Sequence, residues 1–458
     1  MNFGHVRRVH FMGIGGAGVS GLAELLKAEG LDVSGCDSTP SETTERLRSL
    51  GIEVLIGHSA DHLEGVDVIG YSAAVPRSHP EIIEAKRRSV RPMSRAELLG
   101  DVSRFKWGIA IAGTHGKTST TSLTGFILTH AGLDPTVIVG GRVNFLAAHA
   151  RLGRSEYLVC EADEFDRSFL QLWPVLSVIT NIEAEHLDTY GDLHAIENAF
   201  QEFADRVPFF GATIACVDEP GVRALLPRLT CRKVTYGLSE EADVRGVRAT
   251  FRPTGSACTV VWQGREIGEL TVPLVGRHML KNALAATAVA LYVGIPFVRI
   301  AEAVAAFSGV ARRFERKGEH GGVVLVDDYA HHPSEVAATL QAARQAFPHA
   351  RVVAVFQPHL FSRTQAFARE FGEVLLAADI AVVLPIYPAR EQPIPGVTHE
   401  LVVDAARALG HRHALPAASF DDALRILTDA LRDGDVLLTL GAGNVVQLGE
   451  RWLAEASS

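Results

Sequence analysis

The sequence predicts an α/β fold with largely parallel sheets, divided among three domains. Apolar runs of strand length alternate with helical patterns along most of the chain, as in βαβ units. Two glycine-rich turns each follow an apolar run and precede a helical pattern. The chain of 458 residues is longer than one hydrophobic core normally organises, so several domains are expected.

The composition excludes several classes of protein. With 47% hydrophobic and 21% charged residues, the chain can bury large cores, which excludes intrinsic disorder. A formal charge of −9 without a long basic block argues against nucleic acid as a partner. The five cysteines are scattered and form no C-x-x-C pair, which argues against a disulfide framework and structural zinc. Neither a signal peptide nor a membrane-spanning stretch is recognisable, so a cytoplasmic protein is expected.

The first domain, residues 1–106, begins with a doubly wound unit. Val9–Gly13 and Asp32–Cys36 are predicted strands with a helical pattern between them. The turn Gly13–Gly18 fits G-x-G-x-x-G, whose glycines let the backbone approach a pyrophosphate at a helix N-terminus. Asp37 ends the second strand, where Rossmann-like domains place an acid that binds ribose. These features predict a Rossmann-like domain and leave open an NAD-dependent dehydrogenase or a turn that binds nothing.

The central domain, residues 107–307, begins with a predicted strand, Gly108–Ala112, and the turn Gly113–Thr118. This turn is similar to a P-loop, in which backbone N–H groups surround phosphates, Lys117 neutralises their oxygens and Thr118 binds Mg²⁺. The first glycine of the full P-loop pattern falls at Ile111, so a chance Gly-Lys-Thr sequence remains an alternative. Two phosphate-binding turns in successive domains argue against a dehydrogenase, since hydride transfer needs only one.

Acidic segments follow two further predicted strands of this domain. Tyr157–Cys160 precedes Glu161, and Leu176–Thr180 precedes the segment Asn181–His186. P-loop proteins commonly supply a metal-binding carboxylate from the end of a neighbouring strand. Glu161 and His186 are therefore candidate ligands of one or two Mg²⁺ ions, although either side chain could be a solvated or helix-capping group.

The third domain, residues 308–458, is predicted to follow an antiparallel insertion at Phe251–Val275 and a helix at Asn282–Tyr292. Its predicted strands are Gly322–Val326, Arg351–Phe356, Ile380–Leu384 and Val436–Leu440. The polar loops after them are Asp327–Pro333, Gln357–Thr364, Tyr387–Glu391 and Gly441–Asn444. Four such loops at one sheet edge predict a substrate cleft. His331 and His332 could form a zinc pair, but adjacent side chains rarely point the same way and no cysteine is near.

Together these motifs resemble the Mur ligases over essentially the whole chain and in the family's order. The motifs that carry the resemblance are Gly113–Thr118, Glu161–Glu164, Asn181–His186, Asp327–Pro333, Gln357–His359 and Ile386–Glu391. They are most similar to the branch that joins L-alanine to UDP-N-acetylmuramic acid, which Asn181–Tyr190 favours. The nearest alternative within the family attaches a preformed peptide to the same sugar.

The resemblance implies an ATP-dependent ligase of peptidoglycan precursor synthesis. An N-terminal Rossmann-like domain would hold the UDP-sugar, a P-loop-type central domain would hold ATP, and a Rossmann-like C-terminal domain would bring in the amino acid. ATP would phosphorylate the lactyl carboxylate, and the alanine amine would attack the resulting acyl phosphate.

The resemblance also implies a role for individual residues. Contacts to the UDP-sugar are expected at Gly13, Gly15, Gly16, Ala17, Gly18, Asp37, Tyr71, Ser72 and Ala73. Contacts to ATP are expected at Gly113, Thr114, His115, Gly116, Lys117, Thr118, Ser119, Asn282, Arg313 and Asp328. Mg²⁺, which Mn²⁺ can replace, would be bound by Thr118, Glu161 and His186, and the amino acid by Tyr329, His331 and Arg363. Lys117, His186 and Arg313 are the expected catalytic residues.

The sequence departs from the family pattern at three places. Met279 stands where relatives usually have asparagine, and Leu360 stands where some have arginine. Some Mur ligases carry a carbamylated lysine after the metal-binding histidine, but no lysine occurs here between His186 and Arg206. A second metal ion would therefore need other ligands.

Overall fold

The computed structural model of the protein describes residues 1, 3–72, 75–139, 150–185, 187–389 and 391–455. Its three parallel-rich sheets confirm the predicted α/β class. The chain packs into two compact units. The first unit comprises residues 1–248, 258–270 and 281–308, and the second comprises residues 249–257, 271–280 and 309–458. The domain boundaries at residues 106 and 307 stay a prediction.

The N-terminal sheet is a five-stranded parallel sheet in the order β3-β2-β1-β4-β5. Its strands are β1 (Arg8–Met12), β2 (Asp32–Asp37), β3 (Glu53–Ile56), β4 (Val68–Tyr71) and β5 (Arg91–Ser94). Its helices are α1 (Ala17–Ala28), α2 (Glu42–Ser49), α3 (Pro80–Arg87) and α4 (Arg95–Ser103), with a 3-10 turn at Ala60–Leu63. The strand order reverses direction between β1 and β4, and ligands of doubly wound sheets bind at such a switch point. The glycine-rich turn leaves β1 at this point.

The central sheet has ten strands in the order β15-β14-β13-β12-β11-β10-β6-β9-β7-β8. These are β6 (Trp107–Ala112), β7 (Thr136–Ile138), β8 (Ala150–Arg151), β9 (Tyr157–Glu161), β10 (Leu176–Ile179), β11 (Ala212–Cys216), β12 (Lys233–Gly237), β13 (Val244–Arg252), β14 (Gly255–Trp262) and β15 (Arg265–Val272). The helices are α5 (Lys117–His130), α6 (Leu187–Tyr190), α7 (Leu193–Ala204), α8 (Pro220–Leu225), α9 (Arg277–Val293) and α10 (Phe297–Ala306), with 3-10 turns at Ser168–Gln171 and Leu226–Arg228. Parallel strands β9 and β10 flank β6 on its two sides. The ends of all three strands therefore meet at one edge.

Two elements of the central region begin earlier than the sequence predicted. The inserted strands begin at Val244 rather than Phe251, and α9 begins at Arg277 rather than Asn282. Turns of two residues, Pro253–Thr254 and Gln263–Gly264, join β13, β14 and β15. Such turns join antiparallel neighbours, because parallel strands need a long crossover, so the antiparallel character agrees with the prediction.

The C-terminal sheet has the order β16-β17-β21-β18-β19-β20. Its strands are β16 (Glu315–His320), β17 (Val323–Asp328), β18 (Val352–Phe356), β19 (Ile380–Val383), β20 (Ala414–Pro416) and β21 (Val436–Leu440). Its helices are α11 (Pro333–Ala346), α12 (Phe361–Leu375), α13 (Glu400–Ala408), α14 (Phe420–Ala430) and α15 (Val445–Glu455). The four predicted strands, β17, β21, β18 and β19, are adjacent and parallel. Their polar loops consequently leave the sheet at one edge, as predicted.

Two short strands of this sheet, β16 and β20, were not predicted. The sequence of β16 is Glu-Arg-Lys-Gly-Glu-His, and this strand pairs antiparallel with β17 at the edge of the sheet. An edge strand can remain polar because one side and part of its faces stay in water, so it carries little apolar signal. Among the described residues, no helix combines the length and apolar character needed to cross a bilayer.

Candidate active site

The first glycine-rich turn holds Asp37 close to its backbone. Gly13 has a φ of +68°, and its N–H donates to the carbonyl oxygen of Cys36 at 2.8 Å. The N–H of Gly15 donates to Asp37 Oδ2 at 2.8 Å. A Cβ on Gly15 would lie 2.9 Å from the same oxygen, so a larger residue would disturb this approach. The predicted pairing of the glycine turn with an acid at the end of β2 is thus present.

Helix α1 begins without the groups that normally satisfy a helix N-terminus. Gly16 is its N-cap and makes no side-chain cap, and its first turn contains no acidic residue. Helix α2, by contrast, begins with a capping box from Ser41 and carries Glu42 in its first turn. The lack of a side-chain cap and the positive end of the helix dipole therefore make the start of α1 suitable for an anion.

Ser72 and Arg95 lie beside this turn. A Cβ on Gly13 would lie 3.4 Å from Ser72 Cβ, and one on Gly18 would lie 2.5 Å from Arg95 Nε. Tyr71, the last residue of β4, is buried. In the part of the chain that the structure describes, the buried Nε of Arg95 has no hydrogen-bond partner. Arg95 is thus a cation at the candidate pyrophosphate site that sequence analysis missed.

Two predicted contacts to the UDP-sugar are not fully described. Ala73 lies outside the described residues, and for Ala17 the structure describes the position in α1 but not the side chain. Their assignment stays a prediction.

A cavity of about 630 Å³ lies within the first unit, next to the end of β4. Residues after β4, at the start of α4 and after β9 all line it. Its charged lining residues are Arg77, Arg95, Arg167 and Arg206, together with Glu97, Asp163, Asp166 and Glu202. Guanidinium groups bind phosphate and carboxylate oxygens in a bidentate manner, so the four arginines can hold an anionic group although acidic side chains line the same cavity.

The second glycine turn has backbone conformations that only glycine adopts easily. Gly113 has a φ of +138°, and a Cβ there would lie 2.0 Å from Thr180 Oγ1. Gly116, the N-cap of α5, has a φ of +82°, and a Cβ there would lie 2.8 Å from Asn282 Oδ1. The predicted nucleotide contact Asn282 therefore packs directly on the turn.

Side chains from the end of β10 fix the shape of this turn. The N–H of His115 donates to Asn181 Oδ1 at 2.7 Å, and Thr180 Oγ1 donates to the His115 carbonyl oxygen at 2.6 Å. The N–H of Glu183 donates to Thr114 Oγ1 at 3.0 Å. Helix α5 has no side-chain cap and no acid in its first turn. The turn is therefore rigidly held while the start of α5 can accept an anion.

Lys117 is paired with a carboxylate that sequence analysis did not single out. Its Nζ lies 2.9 Å from both carboxylate oxygens of Glu164 and donates to the Gly113 carbonyl oxygen at 2.7 Å. Burial opposes the charge of Lys117, but Glu164 and Asp163 outweigh it and raise the pKa of the lysine. Burial raises the pKa of Glu164 to about 7, although Lys117 acts in the opposite direction. The hydroxyl of Tyr190 donates to the Glu164 carbonyl oxygen at 2.6 Å.

The candidate Mg²⁺ ligands come from α5 and β9. Glu161 ends β9 opposite Ile111 of β6, and Thr118 lies in the first turn of α5 beside the buried Ser119. Carboxylate and hydroxyl oxygens are the donors that Mg²⁺ takes in proteins, so these residues fit that ion. His186 lies outside the described residues, and its expected role stays a prediction.

In the second unit, the loops after β17, β18 and β19 converge. The rings of Tyr329 and His331 lie 5.4 Å apart, those of His331 and His359 lie 5.7 Å apart, and His359 stacks on Tyr387 at 5.8 Å. Burial lowers the pKa of His359 to about 4, and the charges of His331 and Arg363 add to this effect. The predicted amino-acid contacts Tyr329, His331 and Arg363 are thus neighbours of one aromatic cluster.

The two adjacent histidines make separate contacts. His331 Nδ1 lies 3.0 Å from the Tyr329 carbonyl oxygen and 3.1 Å from Glu335 Oε2. His332 Nδ1 lies 2.8 Å from Ser334 Oγ. The preference against a zinc pair stays a prediction.

Arg313 and Asp328 also lie in the second unit. Arg313 lies 3.6 Å from Glu335 Oε1, and its guanidinium carbon lies 5.5 Å from the centre of the Tyr329 ring. Asp328 accepts hydrogen bonds from the N–H groups of Phe314 at 2.7 Å and Ala330 at 2.8 Å. Burial raises the pKa of Asp328 to about 6. The carboxylate is therefore held in a fixed position at the end of β17.

Two of the three departures from the family pattern, Met279 and Leu360, lie among the described residues. Met279 is buried within α9. Leu360 is the N-cap of α12 with a φ of +70°, and its N–H donates to the Tyr387 carbonyl oxygen at 3.0 Å. A positive φ in a branched residue is unfavourable and is held here by the surrounding loop.

Comparison with known proteins identifies the family. The Mur ligase family catalytic domain matches residues 8–107, the Mur ligase middle domain residues 111–290, and the Mur ligase glutamate ligase domain residues 312–443. UDP-N-acetylmuramate–L-alanine ligases of Trichlorobacter lovleyi and Solidesulfovibrio magneticus are 47% and 48% identical to the chain, each over 98% of both proteins. The chain belongs to the Mur ligase family.

Solved Mur ligases share the fold. The crystal structure of the UDP-N-acetylmuramate–alanine ligase of Thermotoga maritima matches with a TM-score of 0.80 and 27% identity, over 98% of this chain and 99% of that chain. A murein peptide ligase of Psychrobacter arcticus matches with a TM-score of 0.69 and 24% identity, over 99% of both chains. The resemblance seen in the sequence motifs is therefore confirmed over the whole length of this Mur ligase.

Sequence analysis of this Mur ligase missed three polar residues near the predicted sites. Glu164 belongs to the acidic segment Glu161–Glu164 but is not among the predicted site residues, although its place beside Asp163 was a usable signal. Arg95 has no motif around it. Arg312 joins Asp327 at 2.9 Å and the Gly441 carbonyl oxygen at 2.6 Å, which ties the loops of β17 and β21 together.

Proposed function

We propose that this Mur ligase joins L-alanine to the lactyl carboxylate of UDP-N-acetylmuramic acid, with conversion of ATP to ADP and phosphate. One structural observation carries the proposal: a P-loop-like turn with a half-buried lysine and a cavity lined by arginines occur in the same compact unit. Relatives that are 47% and 48% identical over almost the whole chain bear the name of this reaction.

The reaction must activate a carboxylate, which is a poor electrophile at neutral pH. Transfer of the γ-phosphoryl group of ATP to a carboxylate oxygen forms an acyl phosphate and releases ADP. The deprotonated amine of alanine then attacks the carbonyl carbon, and the tetrahedral intermediate collapses to the amide and inorganic phosphate. Charge builds up on the phosphoryl oxygens in the first step, so a fixed cation beside them accelerates it.

The P-loop provides that cation. Lys117 lies at the start of α5, where helix N–H groups would also donate to a bound anion. The phosphates of ATP would replace Glu164 as the partner of the ammonium group, and Asn282 would reach the adenine. Thr118, Glu161 and His186 would hold Mg²⁺, and the ion would neutralise phosphate charge.

The UDP-sugar would occupy the turn after β1 and the adjoining cavity. The start of α1 would bind the pyrophosphate, and Asp37 would accept a hydrogen bond from a hydroxyl of the nucleotide-sugar. Arg95 supplies a positive charge beside Gly18. The cavity extends to the residues after β9, which include Asp163, a neighbour of Lys117. This position would direct the lactyl carboxylate toward the P-loop.

Residues of the second unit would supply the remaining contacts. Arg363 would bind the carboxylate of alanine, Tyr329 would limit the volume of its side chain, and His331 would orient the amine. Arg313 would contact the phosphates of ATP and Asp328 its ribose. Each assignment matches the hydrogen-bonding capacity of its side chain.

The two alternatives are not favoured. Hydride transfer does not require a second phosphate-binding turn with a lysine such as Lys117. The relatives that are 47% and 48% identical are named for alanine rather than for a preformed peptide. We expect the reaction to take place in the cytoplasm, where ATP and the nucleotide-sugar are available.

The acyl-phosphate route can be tested with UDP-N-acetylmuramic acid labelled with heavy oxygen in its lactyl carboxylate. Mass spectrometry of the released phosphate should find one heavy oxygen, because one carboxylate oxygen leaves with the phosphoryl group. Phosphate free of the label, with amide formed, would exclude an acyl phosphate.

A further inference from the structure

A cluster of nitrogen, sulfur and oxygen donors lies beside the N-terminal sheet, away from the P-loop. It consists of His10 on β1, Cys36 on β2, His58 and His62 after β3, and Glu81 in the first turn of α3. Cys36 Sγ lies 3.2 Å from His58 Nδ1 and 3.7 Å from Glu81 Oε2. The carboxylate of Glu81 lies 3.3 Å from His58 Nδ1 and 3.1 Å from His62 Nδ1.

Three members of the cluster are buried, whereas His58 is exposed and His62 is half-buried, and the buried part contains an unsatisfied ligand atom. His10 and Cys36 are 0% exposed, and Glu81 is 2% exposed. His10 Nδ1 lies 2.9 Å from Ser34 Oγ, which leaves Nε2 for another partner. Within the described ranges, this Nε2 has no hydrogen-bond partner. This imidazole nitrogen is therefore available to a ligand, and the nearby thiol, carboxylate and imidazole groups together form a donor set that suits a cation.

We propose that this cluster binds a divalent transition-metal ion of the zinc type through Cys36. The donor atoms of His10, Cys36 and His62 lie within 4.8 Å of one another, and so do those of Cys36, His58 and Glu81. Tetrahedral zinc, with Zn–S of about 2.3 Å and Zn–N of about 2.0 Å, places neighbouring donors roughly 3.3 to 3.6 Å apart. The closest pairs in the cluster are therefore already near the spacing of a metal site.

The chemistry of the donors selects the ion. Thiolate and imidazole are ligands of zinc, cobalt and related ions, whereas Mg²⁺ takes oxygen ligands. The contact between His10 Nδ1 and Ser34 Oγ is of the kind that fixes the tautomer of a metal-binding histidine and aims its other nitrogen at the ion.

The protonation state of His10 favours metal binding, whereas that of Cys36 opposes it. Burial, helped by the neighbouring His62, lowers the pKa of His10 to about 4, so its imidazole is neutral at physiological pH. Burial and then Glu81 raise the pKa of the Cys36 thiol. Metal binding must therefore displace the thiol proton to solvent, as it does in thiolate sites generally.

The site adjoins the first glycine turn. The carbonyl oxygen of Cys36 accepts hydrogen bonds from Gly13 at 2.8 Å and Ile14 at 3.1 Å. An ion on Cys36 would consequently stabilise the strand end from which this turn and Asp37 are held. The inference does not depend on which reaction the enzyme catalyses.

Cobalt spectroscopy tests the proposal on the full-length protein after removal of metal with a chelator. Titration with Co²⁺ should produce the near-ultraviolet thiolate-to-cobalt absorption and saturate at one equivalent. Zn²⁺ should displace the cobalt and Mg²⁺ should not. Cys36→Ser should lack the thiolate absorption, whereas Cys258→Ser, which removes another buried free thiol, should retain it.

A second variant keeps the test decisive if Cys36→Ser does not fold. His62→Gln should retain the thiolate absorption but require at least about tenfold more Co²⁺ for saturation, because one ligand is lost while the thiolate remains. The proposal is wrong if wild-type protein shows no thiolate absorption, if Cys36→Ser keeps it, if Cys258→Ser loses it, or if His62→Gln binds Co²⁺ as tightly as wild type. Any of these outcomes would leave the cluster as a metal-free hydrogen-bonded group.

Discussion

The half-buried Lys117 and the buried Glu164 form an ion pair in which the ammonium nitrogen lies 2.9 Å from both carboxylate oxygens. Burial raises the pKa of Glu164 to about 7, so this carboxylate is close to accepting a proton at physiological pH. An arriving phosphate would compete for the ammonium group and disfavour the negative charge of Glu164 further. The pair is therefore suited to release Lys117 when ATP binds.

Lys117→Met should nearly abolish turnover. Removing a fixed charge from a developing transition state costs roughly 10² to 10³ in rate. Phosphate release under saturating substrates measures the loss, and circular dichroism should show an intact fold. A variant that keeps more than half of the wild-type rate would remove Lys117 from the mechanism.

Glu164 should take up a proton when ATP binds. Its pKa of about 7 in the free protein should rise when phosphate approaches, so uptake is expected between about pH 7 and pH 8 and should vanish near pH 6, where the group is already protonated. Calorimetry of a non-hydrolysable ATP analogue in buffers of different ionisation enthalpy measures this uptake. Glu164→Gln should lose it, and Glu302→Gln on α10 should keep it. Equal proton uptake in Glu164→Gln and Glu302→Gln would contradict the proposal that ATP replaces Glu164 as the partner of Lys117.

Glu161→Gln should raise the Mn²⁺ concentration needed for half of the maximal rate, because a charged oxygen ligand becomes neutral. Glu156→Gln, one residue before β9, is a matched control and should leave the metal titration unchanged. If Glu161→Gln lowers thermal stability while its Mn²⁺ curve matches wild type, Glu161 has a structural role only.

Arg363→Ala should raise the KM for alanine far more than the KM for ATP. A hydrogen bond between charged groups contributes about 1.5 to 3 kcal/mol, or roughly a tenfold to hundredfold change in KM. Tyr329→Ala should admit larger amino acids, with relaxed choice rather than reversal, since a hydrophobic pocket discriminates by only about 1 to 3 kcal/mol per methylene. Equal rises in the KM values of ATP, UDP-sugar and alanine for Arg363→Ala would show that the substitution disturbs the site as a whole, and the assignment of Arg363 to alanine would be wrong.

Much of the fold could be predicted because its signals are local. The central strands β1, β6, β17 and β21 are buried on both faces, and their sequences are therefore continuous apolar runs that can be recognised. The glycine turns follow such runs directly. The position of β9 and β10 beside β6 could also be inferred, because a P-loop strand commonly has acid-bearing neighbours.

Other features depend on contacts between distant segments and leave no local pattern. The cluster around Cys36 brings together residues from β1, β2, the segment after β3 and α3, and only His58 and His62, spaced H-x3-H, have metal-ligand spacing in the sequence. Arg95 reaches Gly18 only because α4 packs beside α1. The absence of C-x-x-C pairs argued against structural zinc. That rule concerns cysteine pairs close in sequence, so it does not apply to a single cysteine that meets histidines and a glutamate from other segments.

The identity of the amine that the enzyme ligates is the most direct test of the account. Purified protein would be mixed with ATP, Mg²⁺ and UDP-N-acetylmuramic acid, and phosphate release and product mass would be measured for each amino acid and for the preformed tripeptide. We predict that L-alanine gives the highest kcat/KM and a product heavier than the nucleotide-sugar by one alanine residue. A higher kcat/KM with the tripeptide, or no amide product with any amine, would contradict the proposed function.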